Sequence, residues 1–194
     1  QSKKVTLRNL LSHQSGLIDP EGSFGEYNST DGIPSMHDIF MGKTSYFPEP
    51  LKVMNEPESG FQYSDAGYCV IQQLIEDAAG KPFEVLMKEL IFEPLWMNNS
   101  TLEHTIPDQD RDRSDFASGH NKEGFVVQGK YPIYPYPAAA GLWSTPTDVA
   151  KLANEMIHSL KGSGKLHISQ KLMNEMITPQ YSAKWAGLGV FLDH

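Results

Sequence analysis

The 194-residue chain carries a formal net charge of −8 and a single cysteine, with 39% hydrophobic and 21% charged residues. That is length enough for one domain with a core, and the acidic balance argues against nucleic acid, which needs a clustered basic surface. One thiol excludes an internal disulfide, and no apolar run reaches the roughly 18–20 residues that a membrane-spanning helix needs.

In chain order, Thr6 is placed to cap a short helix over residues 7–12, with Leu7, Leu10 and Leu11 at helical spacing. Residues 17–34 are rich in Gly, Pro, Asp and Ser and read as a long surface loop. A short helix follows over 35–41, then Pro-rich sequence to Gly60 and an extended or strand segment at 61–63. The strongest helix starts at Ser64 or Asp65 and runs to Ala79. Its apolar positions are Tyr68, Ile71, Leu74, Ile75 and Ala78, and Gly80 is the stop. Pro82 can open the next helix, with Phe83, Leu86, Leu90 and Ile91 on one face and Pro94 at its end.

Residues 98–140 lack helical period and read as an extended excursion with a hairpin across 119–127. Thr145-Pro146-Thr147-Asp148 then combines a hydroxyl at N-cap, a proline at N1 and a carboxylate at N3. The helix it opens carries Val149, Leu152, Ala153, Met156, Ile157 and Leu160. Ser169 caps a last helix over 171–177, and the tail to Leu192 has the makeup of a strand.

Few constellations of reactive residues survive inspection. The seven histidines are scattered, with no His-x-x-x-His pair and no cysteine at ligand spacing, so no metal is expected. Asp108, Asp110 and Asp112 alternate like a calcium loop, but Arg113 stands where such a loop needs glycine. Asn28 and Asn99 each begin a glycosylation triplet, a pattern frequent by chance. Cys69 lies on an apolar stretch and reads as an inert buried thiol. No Gly-x-Ser-x-Gly elbow, no phosphate-cradling loop and no cofactor motif occurs. What remains is Tyr63 with Asp65: an ionisable phenol at a helix mouth, two residues from a short carboxylate.

The string Phe61-Gln62-Tyr63-Ser64-Asp65-Ala66-Gly67-Tyr68 resembles the Tyr-x-Asn region of the serine β-lactamase and penicillin-binding protein family. The nearest branch is that of class C β-lactamases, related esterases and D-aminopeptidase-like hydrolases. Three further stretches match in the family's order. Val5 to Leu17 resembles Leu-Leu-Ser-His-Thr-Ser-Gly-Leu, Gly80 to Met97 resembles the Gly-Lys-Pro helix with its Phe-x-Pro-Leu-Gly-Met end, and Pro137 to Thr145 resembles Pro-Ala-Gly-Gly-Leu-x-Ser-Thr.

The family's Ser-x-x-Lys nucleophile motif is absent from the sequence, and so is a Lys-Thr-Gly or His-x-Gly motif in the family's order. The expectation is therefore a central fragment of a serine hydrolase that cleaves an amide or ester through a seryl-enzyme intermediate, the fragment alone being inactive. The fold implied is mainly α with long irregular loops, a few short strands and a C-terminal strand: the helical insert of a β-lactamase-like α/β fold. Residues 1–182 would be the helical region and 183–194 the start of a truncated sheet portion. Tyr63 and Asp65 are the implied catalytic residues, Gly141 and Trp143 the implied substrate contacts.

The resemblance implies a small-molecule or peptide substrate, no cofactor and an extracytoplasmic location. Asp65 departs from the family's Asn: an amide donates and accepts, whereas a carboxylate only accepts. Ala140 stands where the family has Gly. The Asp65 departure leaves open a second reading, a non-catalytic homologue that binds peptidoglycan or a partner protein.

Overall fold

A computed structural model describes residues 4–24, 33–102, 116–127, 130–132 and 134–193. The aspartates at 108, 110 and 112 and the triplet at Asn28 lie outside the described residues. Among these described residues seven α-helices form: α1 (Leu7–Leu11), α2 (Met36–Phe40), α3 (Asp65–Ala79), α4 (Phe83–Met87), α5 (Pro137–Ala140), α6 (Pro146–Leu160) and α7 (Gln170–Met176). A π-helical turn over Lys88–Phe92 continues α4.

Side-chain caps start the helices where the sequence puts them. Thr6 and Asn9 form a reciprocal capping box on α1. Ser35, Ser64, Thr145 and Ser169 each accept an N–H three residues on, at the heads of α2, α3, α6 and α7. Gly80 closes α3 in the left-handed conformation at φ 65.

The 15-residue α3 is the hub. On one side Ala66 and Cys69 join Met36, Ile39, Phe47 and Tyr136 in a cluster between α2 and α5. On another, Ile71 packs against Leu10 and Leu17 beneath α1. Ile75 reaches a third cluster, in which Phe83, Phe92, Leu95, Met97 and Leu102 meet the flank of α6. Cys69 is fully buried and its thiol is pushed well above its ordinary range by desolvation, an inert group.

The mainly α expectation, with its short strands, needs correction. Helix accounts for 37% of the described residues and strand-like bridging for 7%, and no sheet forms among them. Only isolated bridges appear, such as Leu17 with Val53 and Thr101 with Trp143. The expected strand at 61–63 is irregular backbone, with the Gln62 N–H bonded to the His13 carbonyl. The hairpin expected across 119–127 does form as a short antiparallel turn: His120 bridges Val126, the Asn121 N–H bonds the Phe125 carbonyl and the Val127 N–H bonds the Gly119 carbonyl. The expected C-terminal strand is a tight turn. Gly189 takes φ 74, the Gly187 N–H bonds the Val190 carbonyl, and Ala186 bridges Phe191 across the turn. A strand needs a neighbour to receive its ladder of N–H and C=O groups, and here the backbone spends them locally and on α1.

Two helical faces also differ from their sequence pattern. The π turn after α4 slips the register, so Phe92 is buried while Leu90 is 60% exposed. In α6 the buried side chains are Asp148, Glu155 and Ser159, each hydrogen-bonded, while Val149 and Ile157 face outward. The end of the chain is fastened to its beginning. Gln14, fully buried, donates to the Gln180 carbonyl at 2.8 Å and accepts from the Ser182 N–H and hydroxyl. Arg8 reaches Gln180 and Glu175, and the Gly189 N–H donates to the Leu11 carbonyl.

Candidate active site

The residue that sets the head of α3 comes from another part of the chain. The Asp19 carboxylate accepts from the Ser64 hydroxyl at 2.6 Å, the Asp65 N–H at 2.7 Å and the Ala66 N–H at 3.2 Å. It therefore takes the first orphan donors of the helix and places a negative charge at the positive end of the dipole. Ser64 passes the arrangement on, accepting from the Gly67 N–H at 3.0 Å.

Immediately before this cap, Tyr63 lies with its ring on that of His13, centroids 4.4 Å apart and planes 25° from parallel. Phe61, Tyr68 and Phe191 also surround the imidazole. The Asp65 carboxylate lies near enough to the Tyr63 phenol for each to act on the other's ionisation. Both open on a cavity of about 160 Å³ whose walls include His13, Tyr68, Ala139, Gly189 and Phe191.

The electrostatics of this cavity are acidic. Burial, then the nearby Asp65 carboxylate, hold the Tyr63 phenol above its ordinary pKa of 10.0. Burial also raises Asp65, with the neighbouring Tyr63 phenol opposing and the Asp19 charge adding to it. Desolvation lowers His13 against the pull of Asp19, which favours the neutral imidazole. Among the described residues, no lysine or arginine lines the cavity. Nor do they contain a group of three His, Cys, Asp or Glu side chains that could hold a metal ion. No helix among them is long and apolar enough to cross a membrane.

Tyr63 and Asp65 are thus brought together, but Gly141 and Trp143 are not brought to them. Helix α5 divides the stretch: Ala138 and Ala139 line the Tyr63 cavity, whereas Ala140, Gly141 and Trp143 line a separate cavity of about 310 Å³. Gly141 sits so close over the Pro137 backbone that a side chain would collide with it. Trp143 exchanges both backbone bonds with Thr101, and its ring lies 4.6 Å from that of Tyr131. Gly141 thus packs on the first residue of α5, and Trp143 packs against Tyr131 and Phe116.

Two residues at the site, His13 and Asp19, escaped the sequence reading. His13 sits inside a stretch already set apart by its family pattern, which was the available signal. Asp19 lies in a Gly- and Pro-rich loop 45 residues before Ser64, and nothing local marks it.

Comparison with known proteins supplies the context. A family model described as Beta-lactamase matches residues 1–194. The teichoic acid D-alanine hydrolase of Staphylococcus aureus (strain MRSA252) is 27% identical over 182 residues, 93% of this chain and 41% of that protein. The octameric penicillin-binding protein homologue of Pyrococcus abyssi superposes with a TM-score of 0.68 at 25% identity, covering 95% of this chain and 42% of that one. The D-amino acid amidase of Ochrobactrum anthropi SV3, solved with L-phenylalanine amide, superposes with a TM-score of 0.66 at 25% identity over 97% of this chain and 53% of that one. The chain therefore spans 41% of the length of the curated relative.

Proposed function

Since the chain belongs to the β-lactamase family, we propose that it supplies the tyrosine motif and one wall of the substrate cleft in a serine hydrolase. That hydrolase would cleave a small amide or ester through a seryl-enzyme intermediate. The serine and lysine would come from sequence outside these 194 residues, which contain no Ser-x-x-Lys. The observation that carries the reading is Tyr63 and Asp65, side by side at the head of α3 and open to one cavity.

In this reading the Tyr63 phenol moves the proton during attack by serine and, later, by water. As the site stands the phenol is held protonated, so a cation has to approach it before it can act near neutral pH. Asp65, able only to accept, is suited to orient that cation. Gly141 enters the proposal as support for α5, whose Ala138 and Ala139 line the Tyr63 cavity, and Trp143 as a wall of the second cavity beside it.

D-Alanyl and D-amino acid chemistry in the names of two relatives makes a D-aminoacyl amide or ester the first substrate to try. An extracytoplasmic location accords with the teichoic acid in the first relative's name. Incubation of the full-length protein with a fluorescent penicillin, a chromogenic ester and D-alanine p-nitroanilide, followed by intact mass, tests the proposal. A covalent adduct or turnover that Tyr63→Phe abolishes supports it. Neither adduct nor turnover would favour the second reading, a non-catalytic homologue that binds peptidoglycan or a partner protein. The carboxylate at Asp65, in place of the family's amide, keeps that reading in view.

A further inference from the structure

We infer that His13 is a positioning residue for Tyr63, clamping the backbone on both sides of the phenol and backing its ring. This rests on the reading of Tyr63 given above, but its geometry is independent of it. The His13 carbonyl accepts from the Gln62 N–H at 2.8 Å and its Nδ1 accepts from the Ser64 N–H at 3.2 Å. The two residues flanking Tyr63 are thus both held by one side chain and its own peptide, 51 positions away in sequence for Ser64. Between these two bonds the rings stack, which fixes the plane from which the Tyr63 hydroxyl faces Asp65.

Three features separate this from an ordinary buried histidine. The residue occupies the left-handed region at φ 54, strain that a loop free to choose would avoid. It is 6% exposed, and Ser64 only 1%, so the Ser64 N–H has no water to fall back on if Nδ1 is lost. The bond also requires Nδ1 to be bare, putting the single proton on Nε2. Protonation would turn the acceptor into a second donor facing the Ser64 N–H and break the clamp. The charged and titratable groups around the ring are Asp19 from the loop, and Tyr63, Asp65 and Tyr68 from the head of α3. Of these, Asp19 favours the cation, against the desolvation of the ring.

Two substitutions divide the clamp into its parts. His13→Asn tolerates the left-handed backbone, retains an acceptor oxygen for Ser64, cannot titrate and loses the stack. His13→Phe retains the stack and loses the acceptor. In the full-length protein, His13→Phe should lower kcat for the ester about tenfold with KM little changed, one lost hydrogen bond's worth at the transition state. His13→Asn should keep kcat within about threefold and remove the acid limb that the wild-type profile shows below pH 6.5, the histidine's ordinary value.

Nitrogen-15 spectra of labelled protein provide a readout free of activity: the Ser64 amide should shift with the His13 titration and stop doing so in His13→Asn. A Ser64 amide indifferent to His13 overturns the inference. So does an equal loss of kcat in both variants with the acid limb unchanged, which marks His13 as packing alone. If Tyr63→Phe is fully active while the Ser64 amide follows His13, the catalytic reading of Tyr63 fails and the clamp stands.

Discussion

Removing the Asp19 carboxylate should loosen the head of α3 more than its position in a loop suggests. It accepts three hydrogen bonds, from the Ser64 hydroxyl at 2.6 Å and the Asp65 and Ala66 N–H groups at 2.7 and 3.2 Å. Bonds to a charged acceptor contribute about 1.5–3 kcal/mol each when buried, but Asp19 is partly exposed and solvent screens much of this. Water can also reach the freed N–H groups at a helix mouth. A total of about 2–3 kcal/mol for Asp19→Ala follows, comparable to the loss of a strong N-cap plus one dipole contact. Asp19→Asn, which keeps one acceptor oxygen and drops the charge, should cost about 1 kcal/mol. Urea unfolding followed by circular dichroism measures both. In a chain of this size, the Ala variant should also melt about 4–12 °C lower. An Asp19→Ala midpoint within about 0.5 kcal/mol of wild type would refute the three-bond account of how the site is held.

The Tyr63 phenolate should appear in an absorbance titration only above pH 10.0, and Asp65→Asn should move it downward because the carboxylate is the chief electrostatic cause of the shift. Because the folded value lies above the unfolded one, Tyr63's contribution to stability is complete below pH 10 and lost as pH rises through the folded pKa. A midpoint below 10.0 would contradict it. Trp96 occupies φ 58 while 67% exposed, so Trp96→Gly should raise stability by roughly 0.5 kcal/mol, left-handed strain relieved outweighing glycine's entropy; a lower urea midpoint would show that the indole packs usefully. Gln14→Leu strands the Gln180 carbonyl and the Ser182 N–H and should cost about 3 kcal/mol. Faster proteolytic cleavage between residues 180 and 191 would report the same loss, and unchanged cleavage would argue that Arg8 and the backbone bonds to Leu11 and Met176 hold the segment without Gln14.

Chemistry local to three or four residues was legible in the sequence. Thr6, Thr145 and Ser169 cap helices where their hydroxyls predicted, and Gly80 ends α3, because a cap is decided within one turn of backbone. The same holds for the Tyr63–Asp65 pair, two residues apart at a helix mouth. Periodicity served less well where something non-local intervened. The π turn moved Leu90 out of the core, and the partners of Asp148 and Glu155 drew polar side chains of α6 inward.

Only the tertiary structure decided the rest. His13 and Asp19 meet the head of α3 across 51 and 45 residues, and α5 turns Gly141 and Trp143 into a second cavity away from Tyr63. The strand-like tail folds into a turn because no neighbouring strand takes its hydrogen bonds, and Leu11 and Met176 take them instead. Caps and motifs are written in adjacent residues. A site built from three distant segments is fixed only when the closure of the chain brings their donors and acceptors within 3 Å or so of each other.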